Sequence, residues 1–279
     1  MQTEITARKK WQFLDGRDLR EVIHYKDLLY MLVVRDINVL YKQTILGFAW
    51  AIVKPLFQAL IFTVIFGYLA GMANKMQGNI PYIVFTFAGL VPWTYFATAI
   101  TGSTGSLIAN TQFLTKVYFP RIIIPLTPIL SKMVDFVVSL VALIILILAY
   151  GIAIPPTIIY LPIVLILLVL TTFGMGLWLS AMAIQYRDVQ QLMQFLVPIL
   201  MYMAPVVLPL AVFLKMKPWV VTVLSFYPMT GIVEGFRVCM VGGDMPWHIL
   251  LYGSITTFII LFTGIIFFRA KEDFFADVV

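Results

Sequence analysis

Lys132 and Asp135 stand three residues apart in SKMVDFVVSL, inside an otherwise apolar run. On a helix, residues at this spacing are neighbours, so the ammonium and the carboxylate partly neutralise one another. Ionisable groups in such a run are costly unless they face a bundle interior or a wet path. The pair therefore reads as a structural ion pair or as part of the lining of a translocation path. Acid–base catalysis fits poorly, because Asp135 is the one carboxylate placed deep in an apolar run and a partner carboxylate is missing. His24 and His248 fall on opposite sides of the expected membrane, and Cys239 is the only cysteine, so neither a shared histidine site nor a cysteine metal cluster forms. The sequence contains no G-x-x-x-x-G-K-[ST] to cradle nucleotide phosphates. No catalytic residue, metal site or cofactor is expected in this chain, which is not expected to be an enzyme.

The elements that position the pair follow from composition. The 279 residues are 62% apolar and 11% charged, and the mean hydropathy is +0.99. A soluble domain is about one quarter charged. The apolar residues also come in runs of about twenty, enough to cross a hydrocarbon core of about 30 Å. The chain reads as an all-α membrane protein with six transmembrane helices, at roughly 50–70, 82–107, 121–150, 157–183, 188–209 and 247–268. Prolines 125, 128, 162, 198 and 205 lie inside these spans, where neighbouring helices can satisfy the freed carbonyls. Thr171–Gly176, reading TTFGMG, provides small groups for close helix packing.

Fourteen of the nineteen lysines and arginines fall on one side of this arrangement. Four fall on the other: Lys75, Lys215, Lys217 and Arg237, with Lys132 in the membrane. The basic side is cytoplasmic, so both termini are expected there (N-in, C-in). The net charge of +6 then reflects topology, and no nucleic-acid partner is expected. The first 45 residues are broken by charge throughout and are not read as a cleaved signal peptide.

Residues 25–46 differ from the spans. At about 100° per residue, Tyr30, Val33, Val34, Ile37, Leu40 and Tyr41 share one face, while Asp27, Arg35, Asn38 and Lys42 gather on another. Such a helix lies along the interface, and Gly47 and Trp50 mark the turn into the first span. Segment 210–246 is too interrupted to span and divides near Tyr227–Gly231, which suggests a short re-entrant helical pair between the fifth and sixth helices. The expected organisation is a 1–24 N-terminal cytoplasmic extension, a 25–46 interface helix, a 47–270 transmembrane domain and a 271–279 cytoplasmic tail.

Five stretches, in order, add a further signal: RDINVLYKQTILGFAWAIVKPL from Arg35, AGLVPWTYFATAI from Ala88, FLTKVYFPRIIIPL from Phe113, YRDVQQLMQFL from Tyr186 and YPMTGIVEGFR from Tyr227. Together they resemble the membrane subunit of bacterial ABC-2 type polysaccharide exporters, which include O-antigen, capsular and teichoic acid permeases. The resemblance covers about residues 25–270. It implies a homodimer working with two copies of a cytoplasmic ABC ATPase that holds ATP and Mg2+. The cargo is a glycan on an undecaprenyl-type pyrophosphate lipid, moved across the bacterial inner membrane. It also implies that the 25–46 helix contacts the ATPase. Thr111, Phe113, Leu114, Lys116, Tyr118, Pro120 and Arg121 would form a coupling segment, and Tyr186, Arg187 and Asp188 a second contact or a structural corner. The outer re-entrant segment would include Tyr227, Pro228, Glu234 and Arg237. Arg35, Lys42 and Lys54, at the cytoplasmic headgroup level, are the cations expected to attract the lipid pyrophosphate.

Alternatives from other classes are an ABC-2 drug or lipid exporter, a membrane lipid-linked sugar or phosphate transferase, and an ion-coupled secondary transporter. A transferase needs clustered acidic or metal-binding residues on a loop, and none is present. A secondary transporter works without an ATPase partner. The sequence does not name the polymer, and carries no soluble carbohydrate-reading domain.

Overall fold

The computed structural model describes residues 23–42, 47–73, 80–111, 113, 119–186, 188–213, 215 and 217–272, and every regular element among them is helical. Around one helix the rest are arranged. This is α3 (Tyr82–Ala109), whose spanning window is 78% buried, against 22–28% for the other long spans. Its sequence explains the position: Ala, Gly, Ser and Thr recur among Phe, Trp and Tyr on all sides, so neighbours can approach from every direction.

Before it come α1 (Lys26–Tyr41) and a composite first span. That span starts with a 3-10 turn at Gly47–Ala49, continues as α2 (Trp50–Phe62) and ends in a π-helical stretch, Thr63–Leu69. Gly47 takes φ +49°, a left-handed value that favours glycine, at the expected turn into the span. After α3 come α4 (Ile123–Ala149) and α5 (Leu161–Gln185), the latter led in by a 3-10 turn at Pro156–Tyr160. Then follow α6 (Asp188–Met203), a single turn α7 (Leu210–Phe213), α8 (Pro218–Phe226), α9 (Pro228–Val241) and α10 (Trp247–Glu272).

Five helices are long and apolar enough to cross a membrane, and up to six if the bent pair α8–α9 counts as one span. The expected fifth span differs from the sequence reading. Its helix α6 stops at Met203, not 209, and its 16 residues reach about 24 Å. Ala204–Leu208 turns instead. Pro205 cannot extend the helix, and the carbonyls of Pro205 and Val206 are taken up by Arg237. The expected helical pair is present, with α8 and α9 meeting at 82° across Tyr227, a bend that fits a broken span or a re-entrant loop. Of α9, every residue except Glu234 is buried.

Glycine sets the α5–α10 crossing. A Cβ on Gly264 would lie 2.5 Å from the Gly174 carbonyl oxygen, and one on Gly174 would lie 2.7 Å from Leu261 Cα. Thr171 and Thr257 hydrogen-bond across the same contact at 2.8 Å. The TTFGMG stretch thus packs two spans at backbone distance.

The α1 helix docks by a different face from the one its periodicity suggested. Tyr25, Leu28, Leu29 and Leu32 pack on a cluster of Leu107, Phe119, Ile123, Leu177, Ile184 and Phe268. Tyr30 and Leu40, from the expected apolar face, are exposed. The helix therefore presents three sides: one on the bundle, one apolar and outward, one polar.

Candidate functional site: a polar cavity under α1

One end of the bundle collects α1, the described flanks of the α3–α4 connection, the end of α5 with the start of α6, and the last residue of α10. Arg121 ties two of these together, donating from Nη1 to the Glu272 carbonyl. The candidate coupling residues Thr111, Phe113, Pro120 and Arg121 lie here, as do Tyr186 and Asp188. Phe113 is exposed, with the Arg35 guanidinium carbon 5.7 Å from its ring centroid. Tyr186 is exposed and accepts a hydrogen bond from Gln185 Nε2 at 2.9 Å. Asp188 opens α6 and favours its helix start. Leu114, Lys116, Tyr118 and Arg187 lie outside the described residues.

Behind this end two adjoining cavities open between α1, α2, α3 and α4. The outer one has a volume of about 660 Å³ and is bordered by Arg35, Asp36, Thr101, Gly105 and Gln190. The inner one, of about 340 Å³, is bordered by Trp50, Lys54, Thr94, Thr98, Asp135 and Ser139. Leu40 and Lys132 border both. The wall between them is thus α1's last turn and the ammonium of α4.

Lys132 Nζ donates to Asp135 Oδ2 at 3.1 Å, and both side chains are about one fifth exposed. Asp135 Oδ1 is buried and has no hydrogen-bond partner among the described residues. Lys54 and Asp36 lie within electrostatic reach of Lys132. Arg35 holds Asp36 through Nη2 at 2.9 Å and Nε at 3.1 Å. Lys54 Nζ lies 5.7 Å from the Trp50 ring centroid. The residues singled out from sequence come together in part: Arg35, Lys54, Lys132 and Asp135 share the two cavities. Lys42 is exposed and borders neither.

The hydroxyls were missed by the sequence reading. Thr94, Thr98, Thr101 and Gly105 recur at spacings of four, three and four, which is one face of α3. That face lines the cavities, and its periodicity was the available signal. Thr98 Oγ1 bonds back to the Thr94 carbonyl at 2.8 Å, and Ser139 Oγ donates to the Ala51 carbonyl at 2.8 Å, joining α4 to α2.

At the opposite end, the residues of the expected re-entrant segment build a buried clamp. Arg237 is 4% exposed. Its Nε donates to the Phe85 carbonyl at 3.2 Å, and Nη2 donates to Pro205 at 2.6 Å and Val206 at 3.0 Å. Nη1 pairs with Glu234, and the guanidinium lies 3.7 Å from the Phe85 ring centroid. Arg237 is therefore not the water-facing topological charge that the charge count had taken it to be, and the count becomes fourteen against three. Its desolvated guanidinium replaces water at the two backbone carbonyls that the α6 break leaves open, Pro205 and Val206, and adds a bond to the Phe85 carbonyl within α3. Tyr227 sits at the bend with its hydroxyl buried, and Pro228 begins α9 against Gly253 of α10.

Comparison with known proteins places this geometry in a family. The ABC-2 type transporter family model matches residues 27–241. An O-antigen export system permease protein RfbA of Klebsiella pneumoniae is 28% identical over 256 residues, covering 90% of this chain and 95% of its own. The RfbA permease of Myxococcus xanthus is 26% identical over 263 residues, 94% and 98% of the two chains. The polysialic acid transport protein KpsM of Escherichia coli is 25% identical over 248 residues, 87% and 92%. With most of its length matched and its helices long enough to cross a bilayer several times, the chain belongs to the ABC-2 type transporter membrane-protein family.

Proposed function

We propose that this chain is the permease subunit of an ATP-driven exporter that moves a lipid-linked polysaccharide across the bacterial inner membrane. The observation that carries the reading is the near full-length similarity to permeases named for O-antigen and polysialic acid transport. The layout of the basic end supports it. Candidate coupling residues gather there beside α1, and a polar cavity opens behind them. Both termini are cytoplasmic, and the basic end faces a soluble ABC ATPase. That ATPase binds ATP and Mg2+, because this chain has no P-loop. Two permeases and two ATPases form the working unit, since six helices enclose little space for a hydrated glycan.

Arg35 borders the outer cavity and Lys54 the inner one, with Lys42 exposed at the end of α1, and these three cations attract the pyrophosphate of an undecaprenyl-type carrier. Thr111, Phe113, Leu114, Lys116, Tyr118, Pro120 and Arg121 couple ATPase movement to the bundle, with Tyr186, Arg187 and Asp188 as the second contact. The test is charge reversal. Lys116→Glu with Arg121→Glu should detach the ATPase, or abolish the permease-dependent part of its hydrolysis, with the permease still inserted. Unchanged binding and stimulated hydrolysis would refute the coupling assignment.

A further inference from the structure

A third cavity lies at the end of the bundle opposite the basic one, between the first turns of α5 and α10. Its volume is about 160 Å³, and every bordering residue except Ser254 is apolar or aromatic. Ser254 spends its hydroxyl hydrogen on the Leu250 carbonyl at 2.5 Å, so it adds no free donor. Tyr160 and Trp247 border the cavity and meet edge to face, with ring centroids 4.9 Å apart. Both stand where their spans begin, and aromatic rings of this kind sit at the membrane–water boundary.

The surface around the cavity faces hydrocarbon. Ile163 and Leu251 border it and are exposed, and the exposed apolar face runs on along both helices as Ile166, Ile255, Ile259 and Phe262. Thr256 and Thr263, the hydroxyls on the exposed side of α10, donate to carbonyls of their own helix at 3.0 and 2.7 Å. In lipid, polar groups must be satisfied in this way, whereas a wet path has no such requirement. Behind the cavity is protein. A Cβ on Gly235 of α9 would stand 3.3 Å from Leu250 Cδ2 and 3.4 Å from Val164 Cγ2. The two side chains that line the cavity there thus also support the helix that carries Arg237.

We propose that this cavity holds an acyl chain of one resident phospholipid whose headgroup presents an ammonium to Asp244. An apolar cavity of about 150 Å³ takes a group the size of benzene, so this one takes a stretch of one chain rather than a whole lipid. A sugar is excluded, because its hydroxyls would be left unpaired against this lining. The headgroup class follows from charge. Asp244 is exposed and directly precedes Met245 of the lining. The other carboxylate at this end, Glu234, is already paired with Arg237. Asp244 therefore attracts an ammonium and repels an anionic headgroup, and an exposed ion pair is worth up to about fivefold in affinity. With its chain seated on Val164 and Leu250, the lipid braces α9 and the Arg237 clamp from the membrane side. This goes beyond the export reading and is independent of the cargo.

The experiment places the full-length permease in phosphatidylcholine nanodiscs containing a rising fraction of a second lipid. That lipid is phosphatidylethanolamine or phosphatidylglycerol, with one chain brominated near its carbonyl end to quench tryptophan fluorescence. The part of the quenching that is lost in Trp247→Phe reports on the cavity. Half of that part should be reached at a mole fraction about threefold to fivefold lower for phosphatidylethanolamine than for phosphatidylglycerol. Asp244→Asn should bring the two curves together. Ser254→Phe and, from the exposed rim on the other wall, Ile163→Phe fill the cavity and should make both curves follow the bulk fraction. Wild-type curves that already follow the bulk fraction for both lipids mean passing contact only and overturn the proposal. Absence of Trp247 quenching by either lipid means that protein, such as a second copy, covers the cavity, and also overturns it. So does a preference for phosphatidylethanolamine that survives Asp244→Asn or both filling variants.

Discussion

Replacing Arg237 by methionine removes the guanidinium from the centre of the re-entrant segment while keeping most of the side-chain volume. The carbonyls of Pro205 and Val206 then lose their donor, the Phe85 carbonyl keeps only its helical one, and Glu234 is left as a largely buried carboxylate without its partner. Breaking a buried ion pair from one side costs about 3–5 kcal/mol, because the remaining charge is uncompensated. Unpaired buried carbonyls add to this at about 1–3 kcal/mol each, less than additively since the segment can relax. For a chain of this size, about 3–5 kcal/mol corresponds to a fall of about 6–20 °C in midpoint temperature. Thermal unfolding of the purified permease in mild detergent, followed by size-exclusion fluorescence, measures it. The double variant Glu234→Gln/Arg237→Met no longer strands a charge, so it should be more stable than Arg237→Met alone. A fall below about 2 °C for the single variant, or a double variant less stable than the single one, would refute the clamp.

Two further predictions concern the basic end and the direction of the chain. Neutralising Arg35, Lys42 and Lys54 together should impair export while ATPase docking and expression persist; unchanged export would remove their headgroup role. In a Cys239→Ala background, Lys217→Cys should react with a membrane-impermeant maleimide on intact spheroplasts, and Tyr186→Cys only after permeabilisation. Both side chains are exposed, so the reverse pattern would invert the assigned topology.

Most spans were legible because a run of about twenty apolar residues has few other uses. The first, second, third, fourth and sixth expected spans begin or end within a few residues of the helices seen. The fifth was overextended, because residues 204–209 are as apolar as the helix before them, and only the distant Arg237 shows why the backbone turns there. Arg237 itself looked like a loop charge for the same reason: Phe85 and Val206, whose carbonyls it satisfies, are 152 and 31 positions away. That residues 25–42 form a helix with a polar stripe was readable, but not the face that docks. Leu28, Leu29 and Leu32 are no more apolar than Val33, Val34 and Ile37, and choosing between two apolar faces takes the partner helix. Lys132 and Asp135 stood out by their charge, whereas Thr94, Thr98 and Thr101 are common in apolar helices and acquire meaning only opposite that pair.

The central claim is ATP-driven movement of a lipid-linked glycan through this chain, and reconstitution tests it most directly. Permease and ATPase are placed in proteoliposomes with a lipid-linked glycan in the outer leaflet, on the side of the ATPase. Passage of the glycan to the lumen is read by its protection from an added glycosidase. The account predicts protection that requires ATP, the ATPase and the permease together, and that is lost in Lys116→Glu/Arg121→Glu. Protection of equal extent without ATP, or none with all components present and ATP being hydrolysed, would contradict it.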